Sequence, residues 1–316
     1  MLRLSLALIA LLISLIPTPL LGQDSLSSVL IFSTDLNRTT NRTIKGVKQA
    51  IFTSGENVSV EVFSPKQGQS EATALSNALS EYKPDILITV GSRSTRIAKS
   101  IHPGIPIIFA SVLNPVTSGI VDNLEFPGNT VTGASLDISV DLQLQKLAQL
   151  VPDLNRVGVL YSEKTKYIVD QAESWAADQE IEIVPFEVKS PRDIPRGIDH
   201  LIQNSDGIWA IPDELIYTPQ STKHIMLESF RNRIPIMGFS PSFVKSGALF
   251  ALIVDHKYVG VQAGELAVKV IKGYQPGELA VTRPQAPYLY INKNTAEKLH
   301  LNINPDFYSV AKEVYE

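Results

Sequence analysis

The sequence predicts an α/β protein made of two similar lobes, each a parallel sheet flanked by helices. Three observations predict it. Short β-rich apolar runs alternate with stretches of helical spacing, the pattern of parallel strands joined by crossover helices. The pattern restarts at Val157 with a second array of similar size. The 316 residues also exceed the length over which one hydrophobic core keeps growing.

In the first array, Val29 to Phe32 reads as a strand ending in the polar loop Ser33-Thr34-Asp35, followed by a helical stretch to Phe52. Val58 to Phe63 is the second strand, and Ala72 to Leu79 has helical spacing. Asp85 to Gly91 is a strand closed by a glycine turn, and Ile105 to Ala110 is another. Such continuous apolar runs predict strands buried on both faces. Val131 to Ala134 completes the array near the sheet edge.

In the second array, strand Val157 to Tyr161 precedes helix Thr165 to Asp178, which carries Val169, Ala172 and Ala176 on one face. Pro185 places strand Ile181 to Val188 at an edge or bulge, because proline cannot donate to a ladder. Pro195 is tolerable in helix Ile194 to Ile202 because it sits in the first turn. Gly207 to Ile211, Thr218 to Asn232 and Pro235 to Gly238 then read as strand, helix and short strand. The remaining chain has an extended run, Ala248 to Val254, and a helix, Val259 to Ile271, stopped by Gly273. A proline-rich passage leads to strand Tyr288 to Ile291 and to helix Lys293 to Leu299, with Asn292 as its cap.

Composition bounds the function. Hydrophobic residues are 44% and charged residues 19%, ordinary for a globular protein. The formal charge of -4, with both signs interspersed, offers no basic field to nucleic acid. Residues 1–22 read as a signal peptide: Met1-Leu2-Arg3, an apolar run from Leu4 to Ile16, then breaks at Pro17, Pro19 and Gly22. That run is shorter than the roughly 20 residues of a spanning helix. An uncleaved anchor is the alternative. Cleavage predicts a periplasmic or otherwise extracytoplasmic protein beginning near Gln23. The chain has no cysteine, which excludes disulfides, a catalytic thiol and the lipid-modified cysteine of a lipoprotein.

The passage IPIIFASVLNPVTSGIV (105–121), followed by FPGNTVTGASLDISVDLQLQKLAQLVPDLNRVGVLYS (126–162), resembles the ABC transporter substrate-binding family that includes the tryptophan- and tyrosine-type TrpX proteins. GIWAIPDELIYTPQS (207–221), RIPIMGFSPSFVKSGALFAL (233–252) and LYINKNTAEKLHLNI (289–303) are similar to members of the same family. The resemblance implies the type I periplasmic-binding-protein fold, with two doubly wound parallel-sheet lobes joined by three crossing segments near Leu136, Leu252 and Pro284. The first lobe would comprise residues 23–136 and about 252–283, and the second 137–251 and about 284–316, with a ligand cleft between them. It implies a monomer that captures a small ligand, with amino acid, small carboxylate, sugar and nucleoside all open, and delivers it to the permease and ATPase of an importer. A ligand-sensing input to a signalling receptor is the alternative on the same fold.

Independently of the resemblance, ligands of open α/β sheets bind beyond the carboxyl ends of the strands. This rule selects Thr34, Ser92, Arg93, Ser111 and Asn114 in the first array, and Tyr161, Asp213 and Ser240 in the second. Asp255 follows the second crossing. Hydroxyls and amides in the first set suit a carboxylate or another anionic group, with Arg93 available to pair an anion. Helix capping is the competing role for Ser92 and for Asp213. Asp213 also matches the family's aspartate at a second-lobe strand end, where the resemblance implies contact with a cationic or hydroxyl group. Leu113 and Asn114 depart from the family's small hydroxyl residue and aspartate. An enzyme is not expected, since no nucleophile elbow, Walker loop, dinucleotide fingerprint or HExxH motif is present. The five histidines are far apart without ligand-like spacing, so no metal and no cofactor are expected.

Overall fold

The computed structural model describes residues 26–128 and 130–316. The signal-peptide reading of residues 1–22 lies outside the described residues. Five strands form a wholly parallel first sheet: β1 (Ser27–Phe32), β2 (Val58–Phe63), β3 (Ile86–Val90), β4 (Ile107–Val112) and β5 (Val131–Ser135). Their order, β2-β1-β3-β4-β5, puts β5 at an edge. The helices α1 (Arg38–Thr53), α2 (Glu71–Tyr82) and α3 (Ser92–Ile101) are the crossovers. Alternation along β1 feeds two cores: Val29 and Ile31 pack with α1, while Leu30 and Phe32 pack with α2. This is why the strand reads as an unbroken apolar run.

The second sheet contains β6 (Arg156–Tyr161), β7 (Glu182–Glu187), β8 (Gly207–Trp209), β9 (Ile236–Gly238), β10 (Phe250–Ile253), β11 (Tyr288–Asn292) and β12 (Glu313–Tyr315). Its order is β12-β11-β10-β9-β8-β6-β7, parallel except between β10 and β11. β7, with its Pro185, is the opposite edge from β12. Helices α4 (Val140–Leu150), α5 (Lys166–Ala176), α6 (Ile194–Asn204) and α7 (Pro219–Arg231) cover the two faces. The fold is thus α/β with two doubly wound sheets. The short helices α8 (Pro241–Lys245) and α11 (Pro305–Val310) and strand β12 carry too few residues for a period to show in sequence.

The chain passes between the sheets at 136–139, 254–255 and 283–287. β5 ends in the first sheet and α4 packs in the second core. β10 belongs to the second sheet, yet α9 (His256–Ile271) lies in the first core. Thr282 bridges Ala134 of the first sheet before β11 returns to the second, followed by α10 (Lys293–Lys298). α9 starts three residues earlier than its apolar periodicity suggests, because Asp255 caps it by accepting the Lys257 amide at 3.0 Å.

α9 meets α1 backbone to backbone. A Cβ on Gly260 would lie 2.0 Å from the Thr43 carbonyl oxygen, and one on Gly46 would lie 2.0 Å from that of Lys257. Only glycine permits this approach. It brings the start of α9 against the N-terminal half of α1, more than two hundred residues away in sequence.

Candidate ligand-binding site

Each sheet reverses its direction of winding at its first strand: β1 lies between β2 and β3, and β6 between β7 and β8. At such a switch point the loops leave toward opposite faces and open a crevice at the carboxyl ends. In the first sheet that crevice is a cavity of about 290 Å3. Its wall includes Thr34 after β1, Ser92 and Arg93 after β3, Ser111 in β4, Leu136 from the first passage and His256 at the start of α9.

Local backbone chemistry builds this wall. Gly91 occupies the N-cap of α3 at φ 89°, a conformation open to glycine, and supplies no side-chain cap. The first-turn amides of α3 therefore have no capping partner from that position, and they carry the positive end of the helix dipole. Neither Ser92 nor Ser94 caps the helix. Ser94 is buried, and its Oγ accepts the Thr34 amide at 3.0 Å, tying the β1 loop to α3. At Ser111 the β4–β5 register slips and φ is 59°. The resulting bulge re-aims the side chain toward Thr43, the two hydroxyl oxygens being 2.9 Å apart. Arg93 is largely exposed and its Nε donates to Glu71 at 3.0 Å.

The structure gathers Thr34, Ser92, Arg93 and Ser111 around this cavity, while Asn114, Tyr161, Asp213 and Ser240 are outside its lining. Asn114, at φ 50°, donates its amide to both carboxylate oxygens of Asp137, at 3.0 and 2.9 Å. Burial raises the Asp137 carboxyl above its ordinary value, against the lowering effect of that amide, Ser135 and Arg283.

In the second lobe Asp213 is buried at the end of β8. Its Oδ2 accepts from the Ser162 hydroxyl at 2.6 Å and the Thr165 hydroxyl at 2.9 Å. Its Oδ1 accepts the Leu215 amide at 2.9 Å. Beside it the Tyr217 hydroxyl is buried without a partner among the described residues; burial, then the Asp213 charge, holds the phenol above its usual pKa. Tyr161 packs against the core beneath α4 and α5. Ser240 caps α8, accepting the Phe243 amide at 3.2 Å.

Asp255 is a junction between the two halves. Arg42 of α1 donates to its Oδ1 at 2.9 Å, and the hydroxyl of Tyr288 in β11 donates to its Oδ2 at 2.9 Å. Sequence reasoning missed His256, Asp137, the α1 cap Asn37 and the α1 residues Thr39, Thr40 and Thr43. The NRTTNRT run (37–43) was legible as polar, but only α1's place against β3 and α9, with Thr43 reaching Ser111, turns it toward the cavity.

A family model for the ABC transporter substrate binding protein matches residues 29–315. The chain belongs to this family of substrate-binding proteins. It is 26% identical over 277 residues to the tyrosine-binding protein of Clostridioides difficile, covering 87% of this chain and 80% of the relative. A ligand-free, open substrate-binding protein with adhesive properties from Clostridium difficile superposes with a TM-score of 0.75 at 22% identity, over 92% of this chain and 99% of that one. A Streptococcus pneumonia domain in complex with L-Trp gives a TM-score of 0.61 at 22% identity, over 92% and 100%.

Proposed function

We propose that the protein is the extracytoplasmic solute-binding component of an ABC importer, capturing a small amino-acid-like solute and handing it to a membrane permease coupled to an ATPase. The carrying observation is the uncapped N-terminus of α3 set among hydroxyls in the switch-point cavity. Unpaired amides and the helix dipole favour an anion, so the cavity suits a carboxylate. The relatives named for tyrosine and for L-Trp support an aromatic amino acid.

On this reading the lobes are residues 23–136 with about 254–283 and residues 137–253 with about 284–316, the second boundary falling after β10 because Leu252 and Ile253 pair with β11, and they move about the three passages and close on the solute as a monomer. The second lobe contributes Tyr161, Asp213 and Ser240, with the Asp213 carboxylate meeting the solute's ammonium or hydroxyl group. Ligand contacts to both lobes favour the closed form.

Calorimetry on residues 23–316 with L-tyrosine, L-tryptophan, their amides and the corresponding decarboxylated amines tests the reading. Binding of a free amino acid, with at least tenfold loss for its amide and amine, is the expected result. Equal binding of all three forms would overturn the carboxylate assignment, and no binding of any amino acid in a full panel would overturn the amino-acid reading.

A further inference from the structure

His256 is the first residue of α9, so its place is set by the glycine contacts between α9 and α1. It lines the first-lobe cavity together with Thr43, Ser111 and Leu136. Its Nδ1 is buried and has no hydrogen-bond partner among the described residues. A neutral imidazole carries one N–H, and which nitrogen bears it follows from the partners available. A proton on Nδ1 would seal an unpaired donor inside the protein, which is costly. The proton therefore belongs on Nε2, leaving Nδ1 as a buried lone pair.

We propose that His256 determines ligand specificity: its Nε2–H donates a hydrogen bond to a carboxylate oxygen of the bound solute, complementing the amides of α3. This rests on the carboxylate reading of the cavity and adds a residue that reaches it from the passage between the lobes. Burial, then the positive charge of Arg42, lowers the imidazole's pKa against the opposing pull of Asp255, so the ring stays a neutral donor near pH 7. The other charged groups on α9 are Lys257, Glu265 and Lys269, those on α1, which packs against it, are Arg38, Lys45 and Lys48, and the cavity wall carries Asp35 and Arg93. The strands packed against α9, namely β3, β4 and β5, carry no titratable side chain.

The probes are L-tyrosine and L-tryptophan, titrated into the wild type, His256→Ala and His256→Gln between pH 6.5 and 8. Glutamine places an amide donor near the position of Nε2. Alanine is expected to weaken binding about tenfold to a hundredfold, as for loss of a hydrogen bond to a charged group. Glutamine should stay within about threefold of wild type, whose affinity should be flat across the pH range. Thermal melts of the three proteins identify any variant that fails to fold. Wild-type affinity in His256→Ala would overturn this inference while leaving the solute-binding reading intact. Equal losses in a folded glutamine variant would overturn it too, since ring packing would then be the contribution. Failure of the wild type to bind either probe would overturn both the aromatic reading and this one.

Discussion

Replacing Asp213 with alanine removes the acceptor of three hydrogen bonds at once, two from hydroxyls and one from a backbone amide. A hydrogen bond to a charged group contributes about 1.5–3 kcal/mol, and orphaning a buried donor costs about 1–3 kcal/mol. The three donors are not equally exposed to that loss. Thr165 has a second acceptor in the Ser162 carbonyl at 3.3 Å. The Ser162 hydroxyl has no second acceptor among the described residues, and Ser162 is buried. About 3 kcal/mol is therefore expected for Asp213→Ala, dominated by Ser162, and about 1–2 kcal/mol for Asp213→Asn, which keeps a carbonyl for the Leu215 amide. Urea unfolding at pH 7, followed by circular dichroism, measures both. A loss below about 0.5 kcal/mol in the alanine variant would refute the argument that these donors depend on the carboxylate. The same variants titrated with the solute read the proposed ammonium contact: at least tenfold weaker affinity in Asp213→Asn, about 1.4 kcal/mol, is expected. Unchanged affinity there would assign Asp213 to folding alone.

Gly260→Ala pushes a methyl to 2.0 Å from the Thr43 carbonyl oxygen and forces α9 away from α1. A loss of at least about 3 kcal/mol is expected in denaturant melts, the upper part of the overpacking range, and a neutral outcome would refute the backbone contact. For Asp255, burial raises the carboxyl pKa, but hydrogen bonds from Tyr288 and the Lys257 amide, with the Arg42 charge, outweigh it and the net shift is downward. A depressed folded-state pKa stabilises above the unfolded value of about 3.9 and is lost as pH falls through the folded value. The stability advantage of wild type over Asp255→Asn should therefore shrink below about pH 4; an advantage constant down to pH 2 would refute it.

The Val29 to Phe32 run, the Pro185 edge strand and the restart at Val157 each express a local rule: strand burial on two faces, a missing donor, a renewed crossover unit. Those rules act within a few residues, so the amino-acid order by itself determined two parallel arrays and their carboxyl strand ends, the places at which open α/β sheets generally hold ligands. It also identified Ser92, Ser111 and Asp213 as polar residues at those ends. What each side chain does there depended on partners far away in the chain. Asp213 is bound by hydroxyls 48 and 51 residues away, and Arg42 reaches Asp255 across 213 residues. Ser111 faces Thr43 only because a bulge slips the β4 register, and His256 joins the cavity only because glycine lets α9 touch α1. Tertiary structure decided these assignments, because hydrogen-bond partners and helix contacts are set by distance in space, which sequence separation does not encode.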